Sequence, residues 1–310
     1  MNFPIAIVGG GKVARDQHMP AIAASPDFTL AAAVTLPQDE LPGVPNYRSL
    51  AEMKSAMSEV HAVALCTPPH TRHALALSAI EQGLDILNEK PPASSITEAR
   101  DFATRAEKAG LVLYQSWHSR EAAAVAPARS WLRGKRIHRI DVIWKEDVRI
   151  WHPGQEWIWE AGFGVFDLGI NALSILSEIM PAPLRLQQAN LHYPANRDAP
   201  VAADLIYSSG NAPIAVALDF DERGLQVWDI EIDTEQGTLK LSLGGAQMDL
   251  NGASMAVNDE PEYTALYRRF AELLRVRQSD AEFSPLAMVE EAFLRGARFV
   301  VGPFSWQAGL

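Results

Sequence analysis

FPIAIVGGGKVA, residues 3–14, is the stretch on which the reading of this chain turns. A short apolar run from Phe3 to Val8 meets three glycines, and a helical pattern follows from Lys12 to about Ala24. Gly9-Gly10-Gly11-Lys12-Val13-Ala14 fits G-x-G-x-x-G/A in the setting the motif requires, directly after a strand and opening a helix. Gly9 permits the tight turn, Gly11 lets backbone approach a pyrophosphate, and Ala14 keeps the helix close to the strand. The helix N-terminus presents unpaired N–H groups and a positive dipole end to phosphates. The turn therefore predicts a dinucleotide held at Gly9, Gly10, Gly11, Lys12 and Val13.

Working outward, strands and helices alternate. Phe28–Val34, His61–Cys66, Leu84–Leu87 and Leu111–Ser116 read as buried strands. Between them lie helical patterns over Thr71–Gln82, stopped by Gly83, and from a capping box at Ser95-Ile96-Thr97-Glu98 to Gly110. Parallel neighbours need such long crossovers, so residues 1–118 are expected to form a doubly wound parallel sheet, a Rossmann NAD(P)-binding domain. Residues 119–310 have another rhythm. Ile137–Trp144, Leu184–Leu191, Ala202–Tyr207, Ile214–Phe220, Val227–Ile232 and Thr238–Leu243 read as consecutive strands. They predict an α+β substrate domain with a large, mostly antiparallel open sheet. Two helices interrupt or close it, Phe163–Ile179 and Leu286–Val300. The second, within residues 284–301, is expected to return to the first domain.

The chain has 310 residues, 27 Lys and Arg against 38 Asp and Glu, and a net charge of -11. That balance argues against nucleic acid and anionic membranes as partners. No apolar run approaches a membrane span, and no basic, cleavable segment precedes Phe3. A lone Cys66 forms no internal disulfide, which with the missing signal points to the cytoplasm. An open antiparallel sheet leaves a face for a second copy, so a homodimer is the expected assembly. No spacing of His, Cys, Asp and Glu resembles a metal site.

Cofactor choice is read at the end of the second strand, where an acid normally binds the ribose of NAD. Here that place holds Val34-Thr35-Leu36-Pro37. No Arg or Lys follows until Arg48, so the usual partner of a 2′-phosphate is missing too. Thr35 suits either ribose, and the expectation leans to NAD with NADP as the alternative.

Lys90 follows a strand at the carboxyl edge of the sheet, where ligands of open α/β sheets bind, and Pro91-Pro92 pins the backbone after it. A lysine there is a candidate base, or a cation polarising a substrate oxygen. In the second half, Asp167, Asn171, Ser174 and Glu178 make one polar stripe on an otherwise apolar helix. Asp167 and Asn171 lie at its glycine-rich end. Trp144, Trp151, Trp157 and Trp159 lie close together with Glu146, Asp147, Arg149 and His152 among them, and Trp228 stands on a later strand. Flat aromatic faces beside a few placed polar groups suit a sugar.

The glycine turn, Cys66-Thr67-Pro68-Pro69 after one strand, Glu89-Lys90-Pro91 after the next, and an Asp on a second-domain helix together resemble the glucose–fructose oxidoreductase/inositol dehydrogenase (Gfo/Idh/MocA) family. Trp117-His118-Ser119-Arg120, the run Trp144 to Arg149, Trp151-His152-Pro153-Gly154-Gln155 and the run Gly164 to Ala172 are similar to its aldose 1-dehydrogenase branch. The resemblance implies NAD(P)-dependent oxidation of an aldopyranose at C1 to the aldonolactone, with D-galactose first, and L-arabinose or another sugar or inositol as alternatives. It implies Thr67, Pro68, Glu89 and Lys90 as further nucleotide contacts. Lys90 would take or relay the O1 proton, Asp167 would hold Lys90 or O1 in line, and Asn171 would orient the sugar. His118, Glu146, Trp151, His152 and Trp228 would read the other hydroxyls. Asn171 stands where the family commonly has His, and Asn cannot act as a base, so proton transfer falls to Lys90 or Asp167. A catalytically silent regulator on the same fold would have no need of both.

Overall fold

The apolar run that opens the chain becomes the middle of a six-stranded sheet. In this computed structural model, which describes residues 2–307, β1 is Phe3–Val8, β2 Phe28–Val34 and β3 Asn46–Tyr47; β4 is Ala62–Leu65, β5 Asp85–Asn88 and β6 Leu113–Gln115. Met1 and residues 308–310, at the outer ends of the two expected domains, lie outside the described residues. The strand order is β3-β2-β1-β4-β5-β6, every pair parallel. β4 and β5 are buried at every position, as strands covered on both faces must be. The order reverses between β1 and β4, and ligands of such sheets bind beyond the carboxyl ends at that switch point. The glycine turn and Thr67 follow those two strands.

The helix after the glycine turn is not regular. Ala14–His18 is one π turn and Met19–Ala24 continues as α-helix. Pro20 has no N–H, and its ring crowds the carbonyl four residues back, so the ordinary ladder cannot run through it. The capping box forms one position off its strict geometry. Ser95 Oγ accepts from the Glu98 N–H at 3.2 Å, while Glu98 Oε2 accepts from the Ser94 N–H at 3.1 Å.

The residues up to Glu121 cluster with Glu260–Phe283, and Ala122–Asp259 clusters with the residues from Ser284 on. The segment that returns to the nucleotide unit is therefore not the one expected at 284–301. It is the helix Glu262–Val276, for which the sequence reading made no provision. Tyr263, Leu266, Tyr267, Phe270 and Leu274 recur at helical spacing and share a core with Ile5, Ile7, Ile22 and Phe28. The rings of Phe28 and Phe270 stack at 5.7 Å.

In the second unit, β7 is Ile137–Lys145, β8 Leu184–Pro194, β9 Ala202–Ser209, β10 Ala212–Asp219 and β11 Val227–Thr234. β12 is Gly237–Ser242, β13 Gln247–Leu250, β14 Ala253–Met255 and β15 Ala297–Val301. They form one nine-stranded sheet, β14-β13-β12-β11-β7-β10-β9-β8-β15. The β7·β10 and β8·β15 pairs are parallel and the others antiparallel. The expected helix to Val300 thus ends at Arg295, and Ala-Arg-Phe-Val-Val becomes an edge strand on β8. Aromatic and β-branched residues read either way locally; an open strand edge decides for β. β9 and β10 alternate buried and open positions, as half-covered strands do. The helix Phe166–Ile179 buries eleven of its residues. A Cβ on Gly169 would lie 2.4 Å from Leu218 Cδ1, so glycine lets this helix lie on β10. No helix among the described residues is long and apolar enough to cross a membrane.

Candidate active site

The glycine turn has the shape that a pyrophosphate requires. Gly9 adopts φ +94°, which side chains disfavour, and its N–H donates to the Val34 carbonyl at 2.9 Å. A Cβ on Gly10 would lie 1.7 Å from the Asp39 carbonyl oxygen, whereas one on Gly11 would meet nothing within 4 Å. Space is therefore left at Gly11, where the motif brings a phosphate to the backbone. Thr67 Oγ1, at the end of the adjacent β4, is buried with no hydrogen-bond partner, and Thr67 Cγ2 borders Gly9. An open cradle beside an unsatisfied hydroxyl fits a dinucleotide. Lys12 and Val13 occupy the first turn of the helix, the lysine ion-paired to Asp16; Pro68 is exposed just ahead of the helix Pro69–Glu81. Gly11→Val should leave the melting temperature unchanged and weaken NAD(P) binding about tenfold or more, some ~1.4 kcal/mol of phosphate contact. Calorimetric titration checks this, and equal affinity in the variant removes the turn from the nucleotide site.

At the end of β2, Thr35 is buried and its hydroxyl donates to Asn46 Oδ1 at 3.0 Å. The thirteen-residue separation that excluded Arg48 in the linear reading is closed here. β3 runs beside β2, pairing Val34 with Tyr47, and Arg48 Nη1 donates to the Thr35 carbonyl at 3.1 Å. A cation therefore does stand beside Thr35 at the carboxyl end of β2.

Lys90 is half-buried after β5. Its backbone N–H donates to Glu89 Oε2 at 2.9 Å. Arg72 clamps the same loop: Nε donates to the Thr67 carbonyl at 2.8 Å, and Nη1 to the carbonyls of Glu89 and Pro91. Arg72 escaped the sequence reading. The available signal was a cation in the first turn of a helix, against the macrodipole, which calls for a partner. Behind the loop, Glu89 Oε1 accepts from His18 Nε2 at 3.1 Å, and His18 Nδ1 lies 2.8 Å from the Tyr267 hydroxyl. Burial pushes the Glu89 carboxyl up, but the His18 hydrogen bond and charge, with His118 and Arg72, bring it down to about 2. Burial pushes His18 down, yet Cys66, Tyr267 and Glu89 raise it well above 6.5. The two groups form a buried ion pair.

His118 belongs to the first unit. Its Nδ1 is 2.6 Å from Glu262 Oε2, and its ring stacks on Tyr263 at 5.6 Å, within the first unit.

The second unit gathers the other expected residues. β7 pairs with β11, Lys145 opposite Val227, so Glu146 leaves the sheet beside Trp228. Trp228 Nε1 donates to the buried Glu146 at 3.0 Å, and Trp151 Nε1 donates to Gln226 Oε1 at 2.6 Å. The two indoles meet edge to face at 6.0 Å, and Trp151 remains 44% exposed. His152 Nε2 donates to Asp167 Oδ2 at 3.1 Å. The His152 ring is wedged against Trp157 and Phe220. Asn171 is half-buried one turn beyond Asp167. The lower stripe is structural: Ser174 Oγ donates to the Asn171 carbonyl and Glu178 pairs with Arg129. Among the described residues no group of three or more His, Cys, Asp or Glu is placed to hold a metal ion. One unit thus offers a nucleotide cradle with a lysine at its edge. The other offers two buried carboxylates, an imidazole and two indoles.

Residues 3–116 match the model of an oxidoreductase family with an NAD-binding Rossmann fold, GFO_IDH_MocA. A galactose 1-dehydrogenase of Pseudomonas fluorescens is 40% identical over 305 residues, 97% of this chain and 98% of that protein. The crystal structure of a D-galactose-1-dehydrogenase protein from Rhizobium etli superposes with a TM-score of 0.93 at 42% identity, covering 98% of each chain. A 3-ketoreductase from Actinomadura kijaniata, solved with NADP and TDP-benzene, shares the fold at a TM-score of 0.85 and 15% identity, covering 97% of this chain and all of the other.

Proposed function

This chain belongs to the Gfo/Idh/MocA oxidoreductase family with its NAD-binding Rossmann fold, and from that premise we propose that it oxidises an aldopyranose, D-galactose first, at C1 to the aldonolactone. The observation that carries the reading is the group formed by Glu146, Trp228, Trp151, His152 and Asp167. It combines acceptors for vicinal hydroxyls with flat apolar faces for sugar C–H surfaces. NAD(P), held by the glycine turn and Thr67, supplies the acceptor for the hydrogen and electron pair that leave C1. Lys90 bonds O1 and takes its proton, so that C1–O1 becomes the lactone carbonyl. Asp167, with His152 on one carboxylate oxygen, orients the anomeric end, and Asn171 bonds an adjacent hydroxyl. Glu146, fixed by Trp228, accepts from the far hydroxyls, and Trp151 covers the ring.

D-Galactose and L-arabinose share stereochemistry from C1 to C4 and differ by the exocyclic hydroxymethyl. One small group of this kind separates substrates by roughly 10- to 200-fold. Absorbance of reduced nicotinamide should therefore rise fastest with D-galactose, then with L-arabinose within that factor, and stay flat with myo-inositol. Activity with myo-inositol and none with either aldose overturns the assignment.

A further inference from the structure

The charged pair at the end of β2 bears on which nucleotide is used. Arg48 reaches the Thr35 carbonyl with Nη1 and the Glu40 carboxylate with Nη2. Glu40 lies on the segment after β2, and that segment is held against the glycine turn. Arg15 Nε donates to the Gly10 carbonyl at 2.9 Å, and its Nη2 donates to the carbonyls of Asp39 at 3.1 Å and Glu40 at 2.9 Å. The absence of a Cβ on Gly10 is what lets the Asp39 carbonyl come this close. The Arg48–Glu40 pair therefore links a fixed loop to the carboxyl end of β2, the position at which sheets of this strand order place the adenosine ribose. Both side chains are about half exposed, 47% and 48%. Exposed ion pairs contribute little stability, so this one is readily exchanged. The Thr35 hydroxyl gives its one proton to Asn46 and so has none to offer a 2′-phosphate.

We propose that Arg48 and Glu40 form an exchangeable pair that admits both nucleotides. With NADP the guanidinium turns from Glu40 to the 2′-phosphate, whose oxygens match its planar fork. With NAD the Glu40 carboxylate, still countered by Arg48, accepts from the ribose hydroxyls. The other acids nearby are Asp39, and Glu52, which accepts from the Arg48 N–H at 2.8 Å. Neither replaces Glu40 as the partner of the guanidinium. The proposal rests on the nucleotide reading of the glycine turn and is independent of the sugar.

The test is calorimetric titration of the whole protein with NADH and NADPH, without sugar. Arg48→Gln should weaken NADPH about 10- to 100-fold, the loss of a charge-assisted pair, and change NADH by less than about threefold. Glu40→Gln should move the ratio the other way, tightening NADPH and weakening NADH. Added salt should weaken NADPH in the native protein more than in Arg48→Gln. Equal weakening of both nucleotides by Arg48→Gln would mean that the arginine only braces the Thr35 carbonyl, and the proposal falls. Should that variant fail to fold, an unmoved ratio in Glu40→Gln overturns it as well. A native protein that binds neither nucleotide removes the reading of the turn itself; one that binds both with an unmoved ratio removes only the exchange.

Discussion

Lys90→Met is expected to bind nucleotide as tightly as the native protein and to turn over roughly 100- to 10,000-fold more slowly, the usual range for losing a general base. Groups besides its own ammonium hold the loop that carries Lys90. Glu89 Oε2 takes its backbone N–H, and Arg72 clamps the carbonyls on either side. Methionine keeps the apolar stem, so the loop should not move. Lys90→Arg separates the two roles open to the lysine. Arginine keeps the charge but gives up no proton, so it restores turnover only if the residue polarises O1 as a cation. Steady-state kinetics with D-galactose, beside nucleotide titration, reads both variants. Near-normal turnover in Lys90→Met makes the lysine a bystander, and the proposed chemistry goes with it.

Glu89→Gln is expected to cost about 3 kcal/mol of stability, the low end for breaking a buried pair, because His18 can respond by releasing its proton. At this chain length that lowers the melting temperature by roughly 5 °C. The Glu89 and His18 side chains are 2% and 0% exposed, so water cannot replace the lost partner. The pH dependence has a definite sign. The Glu89 carboxyl is depressed from 4.5 to about 2, so its contribution is complete above 4.5 and is lost as pH falls toward 2. His18 is raised above 6.5, so its contribution is complete below 6.5 and is lost as pH climbs through the higher folded value. The pair therefore stabilises most between about 4.5 and 6.5. Thermal melts carried from that range down toward pH 2 should show Glu89→Gln losing part of the native protein's acid sensitivity. A variant that melts within about two degrees of native at every pH excludes the pair as a stabilising element.

The two sets of residues differ in how much of them could be read along the chain. Phe3 to Ala14 announces a strand, a phosphate turn and a helix, because an apolar period, a glycine's φ and a helix start are local properties. The alternation as far as β6 follows from the same cues and implies parallel pairing without any knowledge of contacts. Asp167 stood out because a polar stripe on an otherwise apolar helix is conspicuous at a period of 3.6. Partnerships are another matter. Arg48 lies thirteen positions from Thr35, and only the registry of β3 on β2 brings them together. His18 finds Tyr267 across 249 positions, through a helix that by periodicity alone belongs to neither unit. Trp228 meets Glu146 because β11 lies on β7, although β8, β9 and β10 come between them in the chain. Ala297–Val301 is a strand because β8 offered an unpaired edge. Local propensity is decided by a residue and its near neighbours, so the sequence by itself determined the glycine turn, the alternating half and the polar helix position. A buried polar group must find its partner wherever chain closure leaves one, and so the ion pair behind Lys90, the cation beside Thr35 and the tryptophan–carboxylate group were decided only by the tertiary structure.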